Sequence, residues 1–543
     1  MRLRRRTGIA AIVCVALAGA TIIQTFSWNQ TSHYALIRSI AHGTPHIDRY
    51  QEETGDKALD KGHWYSSRAP GLALVSVPAY GALLAIHGPQ LARHSRALRG
   101  ADEMVWALTL WGAVLPGFGL LLLVRWMGER LEPGYGTAAA ITLGLGTLIL
   151  PLSTLLFSHV FTAFLGFAAF CLLLRERDGP ESLLVLFLAG LLIGYSITAE
   201  YPLLFTGVVL GVYAMSRAWR DWRRPLVYAG AVAIGVIPLA VYDKWAYGSW
   251  THVAYADLPR HQSGFFGIRP PSFETFITLL FSSRGLLILA PVLIMGVIGT
   301  LMLYRRGRCA EALVIAGVVL AYVGYNSGYY LPFGGGTPGP RFLTTMLPFL
   351  AVPIALTWKR FPAQTLALAG ISIVIFCLVT ITHPLIGYET ETTTWTRYLT
   401  THWFQPTIVS AFANGTRSYA APLPFLVLAA AGLVLAVRAT PWPAISRTSF
   451  AIAAAIAGGW ALVAIVAPTW LGIDHRALEN THNAGDPKAL ELPWGRWPLT
   501  HLGLVALGIT LALLVVAWWL TGRRPRAETA NVPMREETAW ASR

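Results

Sequence analysis

Apolar runs of 16 to 24 residues recur from one end of this chain to the other. Each is long enough to cross a hydrocarbon layer of roughly 30 Å as a helix. Inside that layer every backbone N–H and C=O must be satisfied within the protein, which leaves helices or a closed barrel, and runs of this length select helices. Composition agrees: 55% of the 543 residues are hydrophobic and only 13% are charged, about half the charged share of a soluble domain. The expected fold is an all-α polytopic membrane protein with about 13–15 transmembrane helices.

The runs place spans at 8–27, 104–124, 137–156, 158–174, 182–199, 201–216, 225–242, 285–304, 312–327, 342–357, 362–383, 420–437, 450–470 and 501–520. Segment 71–87 is also apolar, but Pro70 and Pro78 interrupt it. It reads as a half-span or re-entrant piece lining a cavity. Alternatively it spans, and 182–216 is wrongly split at Pro202. The first run follows Arg4-Arg5-Arg6 without a convincing cleavage site, so an uncleaved helix is expected.

With the N-terminus inside, the inner loops carry 24 Lys+Arg and 10 Asp+Glu, and the outer loops 18 and 17. That asymmetry follows the positive-inside rule and explains the net charge of +15 without a nucleic-acid partner. The four cysteines lie in or beside apolar spans, which argues against a disulfide or metal-thiolate site. The larger outer loops are 28–70, 243–284, 384–419 and 471–500. The expected organisation is a transmembrane module over 1–360 that includes outer loop 28–70, further helices over 361–520, and a disordered cytoplasmic tail over 521–543.

Two loops hold residue types suited to chemistry. Loop 28–70 carries Asp48, Glu52, Glu53, Asp56 and Asp60, with Trp64, Tyr65 and Arg68 near its end. A carboxylate at a membrane surface can take a proton from an acceptor hydroxyl. Asp48 is the first candidate and Asp56 the second; pairing with Arg49 or Arg68 is the plain structural role. Loop 334–341 is Gly-Gly-Gly-Thr-Pro-Gly-Pro-Arg. Its backbone can approach a ligand closely, and Arg341 could grip a phosphate bidentately. Arg284 and Arg68 are open to the same role, or to snorkelling. His159 and Glu200 sit at junctions between spans, where ionisable residues are functional candidates. Tyr242, Tyr247, Trp250 and Tyr255 suit a sugar ring or an aromatic belt. The sequons at Asn29 and Asn414 carry little weight. No Walker loop, dinucleotide fingerprint or His-Glu-x-x-His occurs.

The order of these pieces is one N-terminal span and then an acidic outer loop. That loop contains His46-Ile-Asp48, Gly55-Asp56-Lys57, Gly62-His-Trp-Tyr65 and Arg68-Ala-Pro-Gly71. Tyr247-Gly-Ser, Ser283-Arg-Gly-Leu286 and Gly339-Pro-Arg-Phe342 follow. Over residues 1–360 this resembles bacterial membrane glycosyltransferases of the GT-C superfamily, near the family 39 protein mannosyltransferases and the lipid A aminoarabinose transferases. The resemblance implies a polyprenyl-phosphate sugar donor and inverting transfer on the outer face of a bacterial inner membrane. It also implies a first-loop acid as general base. Many relatives place an acidic pair directly after the first span; here Asn29-Gln30 stand there, and neither can be a base. The role then passes to Asp48 or Asp56. An acid expected in the second loop is also missing near His159, unless histidine substitutes. Donor phosphate contacts fall to Arg341, Arg284 and Arg68, and sugar or acceptor contacts to His159, Glu200, Tyr255, Trp64 and Tyr65. A divalent cation could be coordinated by the loop acids, or they could act without one. The acceptor, whether glycan, lipid or protein, is undetermined. The rival reading is a lipid or polysaccharide transporter, disfavoured by mid-spans almost free of charge and by the absence of repeated halves. A non-catalytic scaffold is the third.

Overall fold

The computed structural model describes residues 2–24, 26–88, 103–258, 264–382, 385, 404–408, 419–469 and 498–522. Most of the expected loops 384–419 and 471–500, the sequon at Asn414 and the tail from 523 lie outside the described residues.

The chain is mainly helical. Helix α1 (Arg2–Ala20) is followed by α2 (Trp28–Ala41), α3 (Gly71–His87) and α4 (Glu103–Leu131). Then come α5 (Gly136–Gly146), α6 (Ser158–Asp178), α7 (Leu183–Ala199), α8 (Leu203–Met215) and α9 (Arg223–Tyr247). After two bent segments and α10 (Cys309–Gly328) come α11 (Pro362–Thr382), α12 (Leu423–Ala439), α13 (Arg447–Thr469) and α14 (Pro498–Gly522). Among the described residues, six helices are long and apolar enough to cross a membrane, or up to eight if each bent pair is one span. Helices α3, α5, α7, α8 and α12 are apolar but shorter, 10–17 residues. Val208, Val212, Ile237 and Val241 are each at least half exposed, as a lipid-facing surface requires.

Three expected spans are broken, and each break has a local cause. Span 137–156 stops after Gly146, where Thr147 is extended, and resumes as Ile149–Ser153. Phe273–Leu289 and Leu293–Arg305 meet at 86° around Pro291. Arg341–Ala351 and Ile354–Arg360 meet at 52° around Pro353, because proline removes a helix hydrogen bond and clashes with the preceding turn. The division at Pro202 holds: α7 and α8 are separate helices. Helix α7 packs on α9 through Gly190 and Gly194, whose missing side chains let α9 approach until a Cβ on Gly194 would lie 2.7 Å from Gly235 Cα.

Residues 28–70 are not the irregular loop that their polarity led us to expect. Trp28–Ala41 is helical and buries Asn29 through Ser39. A 3-10 helix follows at Asp48–Glu53, then a hairpin of β1 (Lys57–Asp60) and β2 (His63–Ser66). The hairpin turns at Lys61 (φ 47°) and Gly62 (φ 85°), a two-residue turn whose second position suits glycine. An apolar cluster that includes Tyr34, Leu36, Ile37, Ile47, Ala58 and Tyr65 holds these elements together, and hydrogen bonds join them further. Ser32 Oγ donates to the Asp56 carbonyl at 2.6 Å and lies 2.8 Å from Ser66 Oγ. Arg38 pairs with Glu53 and lies 3.8 Å above the Tyr50 ring. The unit is fastened to α9 by Tyr65, whose hydroxyl donates to Ala246 O at 2.9 Å.

Helix α3 packs against α2, with Tyr80 at 6.4 Å from Tyr34. Its Val75 carbonyl accepts from the Trp111 indole on α4 at 3.0 Å. It therefore lies on the first-loop unit and the adjoining part of α4.

The two ends of the bundle differ. At one end, Asp178 binds Arg308 at 2.7 Å and Arg130 at 3.1 Å. Glu132 binds Lys359 at 2.6 Å and Arg306 at 2.9 Å. Glu176 holds Arg224 bidentately at 2.9 and 3.2 Å. Five of the loops assigned to the inner face thus meet one another. The first-loop unit and the 334–341 loop lie at the other end.

Candidate functional site

Four segments bring charged side chains together at that other end. The turn after β2 supplies Arg68, the α7–α8 junction Glu200, the start of α6 His159, and the end of the glycine-rich loop Arg341. Gly71 is the fulcrum: a Cβ there would lie 2.6 Å from the backbone nitrogen of Ala199. The turn bearing Arg68 therefore rests directly on the junction bearing Glu200. Gly334, at φ 74°, leaves room for Arg341, whose Nε would be 2.5 Å from an added Cβ.

Asp56 forms an ion pair with Arg68, and both side chains are mostly buried. Burial opposes the charge on Arg68, but Asp56 and then Tyr255 and Glu200 outweigh it and raise its pKa. His159 Nδ1 lies 3.0 Å from Glu200 Oε1, to which Ser158 Oγ also donates. Burial drives the Glu200 carboxyl up, yet His159, Ser158 and Arg341 overcome it and hold it at about 2. Glu200 is ionised at neutral pH.

Arg341 is 6% exposed. Its guanidinium carbon sits 5.4 Å from the centre of the Phe157 ring and 5.2 Å from that of Phe342. Its Nε has no hydrogen-bond partner, and among the described residues no carboxylate lies within ion-pair distance of it. Arg68, Asp56, Glu200 and Tyr255 are the charged or titratable groups that act on it most strongly. Arg68 Nε and His159 Nε2 are buried and unpartnered as well. Buried polar atoms are nearly always satisfied, so such a group of exceptions marks a place shaped for a polar ligand.

His33 belongs to this centre and was not singled out from the sequence. It is 1% exposed on α2 and neither ring nitrogen has a partner. Burial, then Arg68, lower its pKa to about 3, so it is neutral. No apolar frame surrounds it in the sequence; its only signal is a histidine four residues beyond Asn29. Asn326, fully buried at the end of α10 with both amide atoms unpartnered, was missed too. Tyr255 stands 5.4 Å from Tyr201, and Tyr329 stands 5.3 Å from Phe342; these rings form an aromatic wall beside Arg341.

The remaining expected residues lie differently. Arg284 donates to the carbonyls of Gly335 (2.6 Å) and Thr337, so it shapes the loop that presents Arg341. Asp48 accepts from the Trp64 N–H at 2.6 Å and faces His63 and His46. Those groups, with burial opposing them, set a lowered carboxyl pKa. Trp64 receives Lys57 at 4.6 Å from its ring, and Tyr65 lies tilted against Tyr247 with ring centres 4.6 Å apart; both fasten the hairpin. Gln30 accepts the Leu156 N–H at 3.1 Å.

No protein-family model and no curated protein matches the sequence. Among solved structures, ArnT from Cupriavidus metallidurans bound to undecaprenyl phosphate is similar at 13% identity and a TM-score of 0.46, covering 91% of this chain and 86% of that one. Apo ArnT gives 16% and 0.44, with 83% and 78% covered. The Archaeoglobus fulgidus oligosaccharyltransferase gives 13% and 0.40, with 80% of this chain and 56% of that chain covered. The present chain thus spans little more than half the length of the archaeal enzyme. At these identities and TM-scores, function has to be decided by this chain's own side chains.

Proposed function

We propose that this protein is a glycosyltransferase that moves a sugar from a polyprenyl-phosphate donor to an acceptor hydroxyl on the outer side of a membrane. The observation that carries it is Arg341, buried beside Arg68 and without a carboxylate of its own among the described residues. A buried cation without an anion is costly, and a phosphate monoanion or dianion is the ligand that two convergent guanidiniums fit. A donor carried on a lipid phosphate needs no nucleotide site, and none is visible in the sequence.

In this scheme the donor phosphate takes Arg68 and Arg341. Asp56 then loses its share of Arg68 and becomes free to accept a proton. The acceptor hydroxyl attacks the anomeric carbon, giving its proton to Asp56 as the new C–O bond forms. The bond from the anomeric carbon to the phosphate oxygen breaks, and both electrons leave with the polyprenyl phosphate. The two arginines hold the charge that develops there. His33, neutral and unpartnered, and Glu200 with His159 line the sugar or acceptor side. Asp48 is committed to Trp64 and the two histidines, so Asp56 is the better-placed base.

Deletion of the gene followed by lipid analysis tests this. A polyprenyl-phosphate sugar should accumulate, wild type should clear it, and Asp56→Asn and Arg341→Ala should not. Clearance by Asp56→Asn would remove the base assignment. No accumulation in the deletion strain would remove the donor class.

A further inference from the structure

We propose that His46, Asp48 and His63 form a binding site for a transition-metal dication of the Zn2+ class, separate from the Arg68–Arg341 centre. Nδ1 of His63 lies 2.6 Å, and Nδ1 of His46 3.0 Å, from the same oxygen, Oδ2 of Asp48. The two imidazoles stack with centroids 4.6 Å apart and 26° between their planes. Three donor atoms from three residues therefore converge within 4.8 Å, and among the described residues no other histidine, cysteine or carboxylate group does so.

With each ring proton on Nε2, the two Nδ1 lone pairs and the carboxylate oxygen face one point. Metal–ligand bonds of about 2.0–2.2 Å at tetrahedral angles separate ligands by roughly 3.4 Å. The donors must then spread by less than about 1 Å, which small side-chain rotations supply. The backbone already holds the carboxylate: Asp48 Oδ1 accepts the Trp64 N–H at 2.6 Å, and the Ile47 N–H donates to the Trp64 carbonyl at 2.7 Å. Such outer contacts orient ligating groups and raise affinity.

Two imidazoles and one carboxylate favour borderline transition ions over Mg2+ or Ca2+, which prefer all-oxygen sites. The side chains are between one-third and about one-half exposed, so an ion in solution can reach them. A bound ion would tie the segment at His46 to β2, stiffening the hairpin whose ends carry Asp56 and Arg68.

The test uses tag-free full-length protein in detergent, stripped with EDTA and titrated with Zn2+ against a chromophoric chelator. One ion per chain is expected. His46→Ala, His63→Ala and the near-isosteric Asp48→Asn should each weaken binding at least about ten-fold. His252→Ala, which breaks a simple two-residue pair with Asp257 at 2.8 Å, should leave it unchanged. Cobalt should give visible d–d bands in wild type that vanish in His63→Ala. Wild type that takes up no stoichiometric Zn2+, or three variants that bind like wild type, would overturn the site.

Discussion

Arg341, 6% exposed and without an ion-pair partner among the described residues, sets up a conflict between stability and function at a single residue. Replacing it by an apolar side chain of similar length removes a charge that the folded, unliganded protein keeps at a cost. Arg341→Met should therefore raise the melting temperature in detergent by about 2–4 °C while abolishing retention of polyprenyl phosphate. A variant that melts earlier and still binds the lipid would show that Arg341 is structural. His33 makes a second residue-scale claim, about pH. Its folded pKa is about 3, below the value of roughly 6.5 for a free histidine. Between these values the unfolded chain binds a proton that the folded chain does not. Its contribution is present above about pH 6.5 and is lost as pH falls toward 3. Thermal stability should drop across that window with a slope approaching one proton, and His33→Gln should flatten it. An unchanged slope would mean that His33 is not the group responsible. These residues were legible to different degrees. Arg68, His159, Glu200 and Arg341 showed themselves as ionisable groups at the ends of apolar runs. Asp48 and Asp56 look alike in the sequence, because what separates them is which cation each meets. His33 was hidden because it lies on a helix with a polar sequence.

That helix, α2, shows why elements held by polar contacts escape sequence reading. Apolar periodicity places α4, α6 and α9 well, since burial in lipid is what forms them. Helix α2 is tied down by bonds from Ser32, from Arg38 and from Thr54 to the Trp28 carbonyl, which span 15 to 34 positions, a pattern with no period. The broken spans failed for a related reason: an apolar run reports burial but not direction, and Pro291 and Pro353 redirect the chain without interrupting the hydrophobicity. Helix α3 offers an internal control at the same scale. A Cβ on Gly71 would lie 2.6 Å from the Ala199 backbone nitrogen, whereas a Cβ on Gly81 would meet nothing within 4 Å. Gly71→Ala should cost about 1–3 kcal/mol of stability and reduce turnover by lifting Arg68 away from Glu200. Gly81→Ala should be neutral or stabilise by about 0.5–1 kcal/mol through helix propensity. Chemical denaturation of both variants in one detergent decides it; equal effects would mean that the Gly71 contact does not position the turn.

At the scale of the whole molecule, the two ends carry different kinds of charge. The end built on Glu132, Glu176 and Asp178 pairs carboxylates with arginines and Lys359 from loops distant in sequence, so its positive excess is locked into a scaffold. The opposite end keeps Arg341 without an ion-pair partner among the described residues, beside the unpartnered ring of His33 and His159 Nε2, so its charge is available to a ligand. Positive residues are retained on the inner side of a membrane, so the proposed reaction requires the scaffolded end inward and the ligand end outward. Cys309 is exposed at the scaffolded end, beside Arg308, and Glu52 is exposed on the first-loop unit. In intact cells, a membrane-impermeant maleimide should label Glu52→Cys and leave Cys309 untouched until the cells are permeabilised. The reverse pattern would turn the molecule over, placing Arg68 and Arg341 on the side where nucleotide sugars are abundant. A lipid-phosphate donor would then lose its physical advantage over a soluble one, and the proposed reaction would have to be rebuilt around a different substrate.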